Sequence, residues 1–299
     1  MFAIVGTVPD KNFPLLSGSI DLSGDKLIMA DLQVPVNRGT PALLASAFQV
    51  CDFFNAPPPA AYLVGDIGTG MGSRSLYAHL EEKIAGQCFT SLTFHYIQPD
   101  VDWHNRVLFA IRKMAKPPVL IADAGFMYAA KMSGQSGAYE IFTPDIGELS
   151  FLADADAPHP FYTRGFIFHE PERAPELISQ AYQHDNAARY LLVKGKTDIV
   201  GDATGVLETI TEPVVPAMEA IGGTGDIITG LLAAFTALGH DSCKACIYAS
   251  TIARMAGVLA APNPGSQVVD IIKYIPMGLA QFFSKNNTNK NNQKMKGKP

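Results

Sequence analysis

The sequence predicts an α/β protein in which helices cover both faces of a mostly parallel sheet. Three observations carry that expectation. Apolar runs of four to six residues alternate with helical patterns along most of the 299 residues, the order that builds doubly wound sheets. Several runs are apolar on both faces, as strands covered from two sides are. Late in the chain a glycine-rich turn, Gly222-Gly223-Thr224-Gly225, runs straight into a long apolar helix.

Phe2–Val5 opens the chain as a strand. Residues 17–35 then break the pattern: Ile20, Leu22, Leu27 and Met29 flank Ser23-Gly24-Asp25, which predicts a hairpin or lid-like excursion. A helix over Pro41–Phe54 and the stiff connector Ala56-Pro-Pro-Pro-Ala60 lead into a strand at Ala61–Val64. Ser75–Glu82 and His104–Met114 have helical spacing and bracket the strand Ser91–His95. Strands at Val119–Ala122 and Tyr139–Phe142 precede a helix at Gly147–Ala153, and Asp154–Pro171 is a Pro- and aromatic-rich loop. The helix Ala174–Gln183, the strand Tyr190–Val193 and helices at Asp226–Leu238, Ser242–Ala261 and Val269–Phe283 complete a single domain over 1–283. Residues 284–299 hold five Lys, no acid and no apolar periodicity, which predicts a disordered basic tail.

The formal charge is −5, and −10 without that tail, so bulk charge argues against nucleic acid as the main partner. An acidic body still accepts a nucleotide where backbone amides or a metal receive the phosphates locally. Four scattered cysteines make no disulfide framework, and the lone Cys243-Lys-Ala-Cys246 reads as two helix-packed thiols. The first residues lack a basic stretch and a long apolar run. The longest uncharged apolar stretch, Ile227–Gly239, is short of the ~20 residues that span a bilayer. These features predict a soluble, cytoplasmic protein without a membrane contact.

The chemistry is expected at Ala220-Ile-Gly-Gly-Thr-Gly-Asp226. Three glycines in four positions allow a tight turn with its N–H groups converging, and the following helix adds a positive dipole end. Asp226 falls in the first helical turn, where it is either a capping acid or a general base facing the group held by the loop. The loop ends in an acid rather than Lys-Ser/Thr, which removes the Walker A reading. The seven histidines show no metal-site spacing. His95, at a strand end before Tyr96 and Gln98, is the one histidine placed near a substrate, although an ordinary strand-end residue is the preferred reading; Trp103 and Phe161-Tyr162 read as loop packing.

Glycine-glycine-x-glycine-aspartate opening a long helix resembles the signature of the ribokinase-like superfamily, and the doubled glycine resembles its NAD(P)H-hydrate dehydratases. Other segments are similar in the same order. Val36-Asn-Arg-Gly-Thr-Pro-Ala resembles the family's first glycine and helix, and Leu63-Val-Gly-Asp-Ile-Gly-Thr-Gly its glycine-rich turn. Val119-Leu-Ile-Ala-Asp-Ala, Phe142-Thr-Pro-Asp-Ile-Gly-Glu148 and Leu192-Val-Lys-Gly195 resemble its Asp-Ala strand end, its Thr-Pro-x-x-Gly-Glu segment and its Lys-Gly strand end. The resemblance spans roughly 36 to 261. It departs in having Asp145-Ile146-Gly147-Glu148 where the dehydratases have His-Pro-Gly-Glu, and in lacking the Asn that follows Asp-Ala.

The resemblance implies a ribokinase-like fold and Asp226 as the catalytic residue. ADP or ATP would lie against Gly222, Gly223, Thr224, Gly225, Lys194 and Gly195, and the substrate near Gly39, Asp123, Gly68 and Gly70. Asp145-x-x-Glu148 has the spacing that positions Mg²⁺ through waters in ribokinase-type kinases, although a helix N-cap with an acid in its first turn explains the same pair. The activity implied is nucleotide-driven dehydration of hydrated NAD(P)H. Phosphorylation of a small sugar or vitamin alcohol by a kinase, and nucleotide binding by a non-catalytic regulator, are the alternatives. A homo-oligomer is expected, as is common in the family.

Overall fold

The first strand, β1 (Ala3–Val8), alternates its side chains between two buried faces: Phe2, Ile4 and Val8 pack into one apolar cluster, Ala3 and Val5 into the other. A central strand must be apolar throughout when both faces are covered. The computed structural model describes residues 1–159 and 171–296, so most of the loop expected over Asp154–Pro171, with Phe161 and Tyr162, lies outside the described residues.

Around β1 the parallel strands β6 (Ala60–Gly65), β7 (Ser91–His95), β8 (Val119–Ala122), β9 (Ile141–Phe142) and β10 (Tyr190–Val193) assemble. Three antiparallel strands extend the edges: β2 (Leu16–Ser19) beyond β6, and β11 (Asp198–Asp202) and β12 (Gly205–Ile210) beyond β10. Among the described residues the sheet order is β12-β11-β10-β9-β8-β7-β1-β6-β2. The chain leaves β1 toward β6 and then returns to build β7 on its other side. The order therefore reverses between β1 and β7, and the crevice at the carboxyl ends there is where open α/β sheets bind ligands.

The excursion over 17–35 holds β2 and a separate antiparallel sheet of β3 (Asp21–Ser23), β4 (Lys26–Met29) and β5 (Leu32–Pro35). The turn at Gly24-Asp25 joins β3 to β4, where the sequence predicts a hairpin.

Helices α1 (Thr40–Phe53), α7 (Thr224–Ala237), α8 (Ser242–Ala260) and α9 (Val268–Ile272) cover one face with the start of α10 (Ile275–Lys296). Helices α2 (Met71–Lys83), α3 (Val101–Ile111), α4 (Ala124–Met132), α5 (Ile146–Ala153) and α6 (Ala174–Gln183) cover the other. The α1–α7 contact is backbone-close: a Cβ on Gly230 would lie 2.2 Å from the Leu43 carbonyl oxygen. No helix among the described residues is long and apolar enough to cross a membrane.

Two expectations differ from the structure at the C-terminus. The helix expected over Val269–Phe283 divides into α9 and α10, because Pro276 has no N–H to bond the Ile272 carbonyl and is tolerated only in a first helical turn. The tail expected to be disordered from Ser284 continues α10 through Lys296. Its apolar start, with Ile275 and Leu279 fully buried, supplies the nucleus, and extending a formed helix is far easier than starting one.

Candidate active site

Four strand ends on the carboxyl edge deliver polar residues to the same crevice. His95 closes β7, Asp123 follows β8, Thr143 follows β9 and Lys194 follows β10. From the helical side come Gly39, the N-cap of α1, and Asp226, in the first turn of α7. Gly223 caps α7 with φ of 99°, a left-handed conformation that glycine adopts without penalty. It also packs tightly on Arg38, whose Cα would be 3.1 Å from a Cβ there. The first-turn N–H groups of a helix lack intrahelical partners, so the Gly222–Gly225 turn presents donors at the positive end of α7.

Asp226 is 6% exposed and held on both carboxylate oxygens. Gly39 N–H donates to Oδ2 at 2.5 Å, and His95 Nε2 lies 3.1 Å from Oδ1. Burial works to raise the Asp226 carboxyl, but His95, Lys194 and the Gly39 N–H outweigh it and hold the group below its ordinary range. It is therefore an ionised acceptor in the first turn of the helix that the glycine loop opens.

Asp123 and Lys194 form a second, linked cluster. Lys194 Nζ donates to Asp123 Oδ2 at 2.7 Å, and Thr229 Oγ1 donates to the same oxygen at 2.7 Å. Asp123 Oδ1 caps α4 by accepting from Ala124 N–H at 2.8 Å. Burial alone would lower the Lys194 ammonium, but Asp123 and Glu148 outweigh it and raise the group. The ammonium stands beside the loop, 3.7 Å from where a Cβ on Gly225 would be. His95 Nε2 is 3.9 Å from Asp123 Oδ2 and so joins the two clusters.

Other expected site residues have more local duties. Gly68 and Gly70 sit at the β6 end of the edge in a turn wound around Asp66, which accepts from both of their N–H groups and from Ser73. Gly195 N–H donates to Asp198, whose partner Arg254 grips the Gly195 carbonyl. The Thr224 hydroxyl turns back to the carbonyls of Met218 and Ile221, 3.3 Å from each, and so braces the loop entrance.

Asp145 and Glu148, the expected Mg²⁺ residues, form a reciprocal capping box at the start of α5. Each one's backbone N–H donates to the other's carboxylate at 2.8 Å, and Tyr128 OH donates to the remaining Glu148 oxygen at 2.6 Å. Burial, then Asp145 and Asp123, push the Glu148 carboxyl up to about 8. Among the described residues no group of three His, Cys, Asp or Glu could hold a metal ion. Both carboxylates already accept N–H or O–H donors and so do not fit direct Mg²⁺ coordination.

Sequence reasoning missed Thr40, Thr229 and Tyr96, and for His95 it preferred the ordinary strand-end reading over a place near the substrate. His95 is not an ordinary strand-end residue, since its ring touches Asp226, 131 positions away. Tyr96 follows it with φ of 50°, a left-handed backbone rare for an aromatic residue, and packs its half-exposed ring on Gly39. Long-range partners of this kind leave no periodic signal; the available signal was their position at strand ends and beside the α1 cap.

A family model described as NAD(P)H-hydrate dehydratase matches residues 98–277. An uncharacterized protein of Methanocaldococcus jannaschii is 35% identical, over 79% of this chain and 98% of its own length. The ADP-dependent (S)-NAD(P)H-hydrate dehydratase of Cenarchaeum symbiosum is 24% identical, over 76% of each chain. Among solved structures, the pyridoxal kinase of Staphylococcus aureus in complex with ADP aligns with a TM-score of 0.55 at 12% identity, covering 86% of this chain and 88% of that one. With a ribokinase-like fold and a family match over its central and C-terminal segments, the chain belongs to the NAD(P)H-hydrate dehydratase family.

Proposed function

We propose that the protein uses ADP or ATP to dehydrate hydrated NAD(P)H, with Asp226 as the base that activates the substrate hydroxyl. The observation that carries this reading is the ionised Asp226 carboxylate in the first turn of α7, directly after the Gly222–Gly225 turn. Terminal phosphates of the nucleotide bind at the N–H groups of that turn, with the Lys194 ammonium nearby to offset their charge. A hydroxyl at the sheet crevice then meets phosphorus on one side and Asp226 on the other, and positioning supplies most of what phosphoryl transfer needs.

In the first step the hydroxyl oxygen bonds to the terminal phosphorus, the bridging P–O bond breaks, and the proton passes to Asp226. In the second, the new phosphate leaves with the C–O bonding electrons and takes up the proton that the neighbouring carbon gives up, which restores the ring double bond. The name of the Cenarchaeum relative supports ADP as the donor. Incubation with hydrated NADH and either nucleotide, followed by recovery of the reduced-nicotinamide absorbance, tests the reading. No recovery with either nucleotide overturns it.

One observation favours a kinase as the second reading: Asp145 and Gly125-Phe126 replace the His and Asn of the dehydratase pattern. A kinase would perform the first step only. Transfer of labelled phosphate from ATP to a panel of sugars and vitamin alcohols distinguishes the two.

A further inference from the structure

His95 is 1% exposed and lies between two carboxylates, with a hydroxyl on its far side. Its Nε2 is 3.1 Å from Asp226 Oδ1 and 3.9 Å from Asp123 Oδ2, and its Nδ1 is 3.0 Å from Thr40 Oγ1. Three elements thus meet at one imidazole: β7 carries it, α1 brings Thr40 and α7 brings Asp226. Space for this meeting comes from Gly6 on β1. A Cβ there would stand 2.4 Å from Thr40 Oγ1 and 2.5 Å from the His95 carbonyl oxygen, so any larger residue would push α1 and β7 apart.

Proton placement follows from the partners. An ionised carboxylate can only accept, so Nε2 facing Asp226 must carry hydrogen. With one ring proton on Nε2, Nδ1 is bare, and the Thr40 hydroxyl 3.0 Å away is positioned to donate to it. Asp226 in turn has Gly39 N–H on one oxygen and the imidazole N–H on the other, which leaves the carboxylate one orientation.

We propose that His95, with its Nδ1 held by the Thr40 hydroxyl, is a positioning residue that donates Nε2–H to Asp226 and holds that carboxylate aimed at the substrate hydroxyl. The proposal rests on Asp226 being the base. It deepens that reading by making the effective unit Thr40–His95–Asp226, with Gly6 as the gap that lets it assemble. The charged or titratable groups facing the ring are Asp226 from α7, Asp123 after β8, Lys194 after β10 through Asp123, and the adjoining Tyr96. Removing the imidazole takes away a donor that favours the ionised carboxylate, so the Asp226 pKa rises.

The test begins with the unmodified protein. In ¹⁵N-histidine-labelled full chain, the His95 resonances at neutral pH are expected to show hydrogen on Nε2 and a bare Nδ1. The opposite tautomer overturns the proposal without reference to any substrate. Next, ¹³C-carboxyl titration and turnover of hydrated NADH with ADP are compared for wild type, His95→Leu, His95→Gln, Thr40→Val and Thr40→Ser. The expected result for His95→Leu is an Asp226 pKa moved upward, an acid limb of kcat shifted the same way, and kcat lowered by about tenfold or more with the nucleotide KM unchanged. His95→Gln keeps an N–H at reach and restores much of kcat, and Thr40→Ser behaves better than Thr40→Val. A folded His95→Leu with wild-type kcat and an unmoved Asp226 titration overturns the proposal. Full activity of Asp226→Asn, measured alongside, would sink the base reading instead, and the tautomer result separates the two failures.

Discussion

Arg254 donates its Nε–H to Asp198 Oδ2 at 2.8 Å, with Arg254 7% and Asp198 0% exposed. The same guanidinium reaches the carbonyls of Gly195 at 3.1 Å and Lys196 at 2.9 Å, while Asp198 Oδ1 accepts the Gly195 N–H at 2.9 Å. One buried pair on α8 and β11 therefore pins the turn that follows Lys194. Burial raises the Asp198 carboxyl, and the Arg254 guanidinium offsets part of that rise.

Removing one member of such a pair strands the other. Arg254→Leu is expected to cost about 3–5 kcal/mol in chemical denaturation. Adding Asp198→Asn should recover part of that loss, because no uncompensated charge remains. Nucleotide affinity of Arg254→Leu should weaken as well, through the loosened turn. An unchanged denaturation midpoint would show that the pair does not hold the turn.

A pH effect follows from Glu148. Its carboxyl is pushed up to about 8 by burial and neighbouring acids, from an ordinary 4.5. Between those values the folded chain keeps a proton that the unfolded chain has lost, so stability falls as pH rises through that interval. The contribution is fully present below about 4.5 and gone above about 8. Glu148→Gln, which keeps the Tyr128 contact but loses the acceptor for Asp145 N–H, should flatten the dependence of Tm on pH across this window. An unaltered slope would mean that other groups carry it.

Strands buried on both faces were legible: Ser91–His95, Val119–Ala122 and Tyr190–Val193 form over the predicted residues. Helix α4 was not, since Gly125 lies in its first turn and its only start signal is the Asp123 cap. Strands β11 and β12 escaped for a different reason. β11 offers only Ile199-Val200 and β12 only Val206-Leu207, apolar pairs too short to read as runs. In the candidate site, the residues legible in advance were those with local signatures, such as a glycine turn with its acid or a strand end in Asp-Ala. His95, Thr40 and Thr229 act through partners 35 to 131 positions away, and a spacing rule reaches only a few turns of helix or strand.

Nucleotide binding is checked by thermal shift. A ligand that binds only the folded state at 100 times its Kd stabilises by about 2.7 kcal/mol, enough to raise Tm by several degrees. ADP or ATP should do so, and Gly223→Ala should reduce the effect, because a Cβ there both strains the left-handed backbone and presses on Arg38. No shift with either nucleotide at millimolar concentration would count against every nucleotide-dependent reading of the site.

The decisive substitution is Asp226→Asn. It preserves size, and an amide oxygen can still accept from Gly39 N–H or His95, but the negative charge and the proton acceptor are gone. If Asp226 takes the hydroxyl proton, turnover should fall by about 10²–10⁴, the usual contribution of a positioned acid or base. Nucleotide affinity should hold or rise, since a carboxylate near the phosphates has been removed. If Asp226 only caps the start of α7, the variant should lose about 1 kcal/mol of stability and keep its activity. Both quantities can be read on one preparation, so a loss of turnover with an unshifted Tm and an intact nucleotide response assigns the residue to chemistry, and the reverse pattern assigns it to the helix.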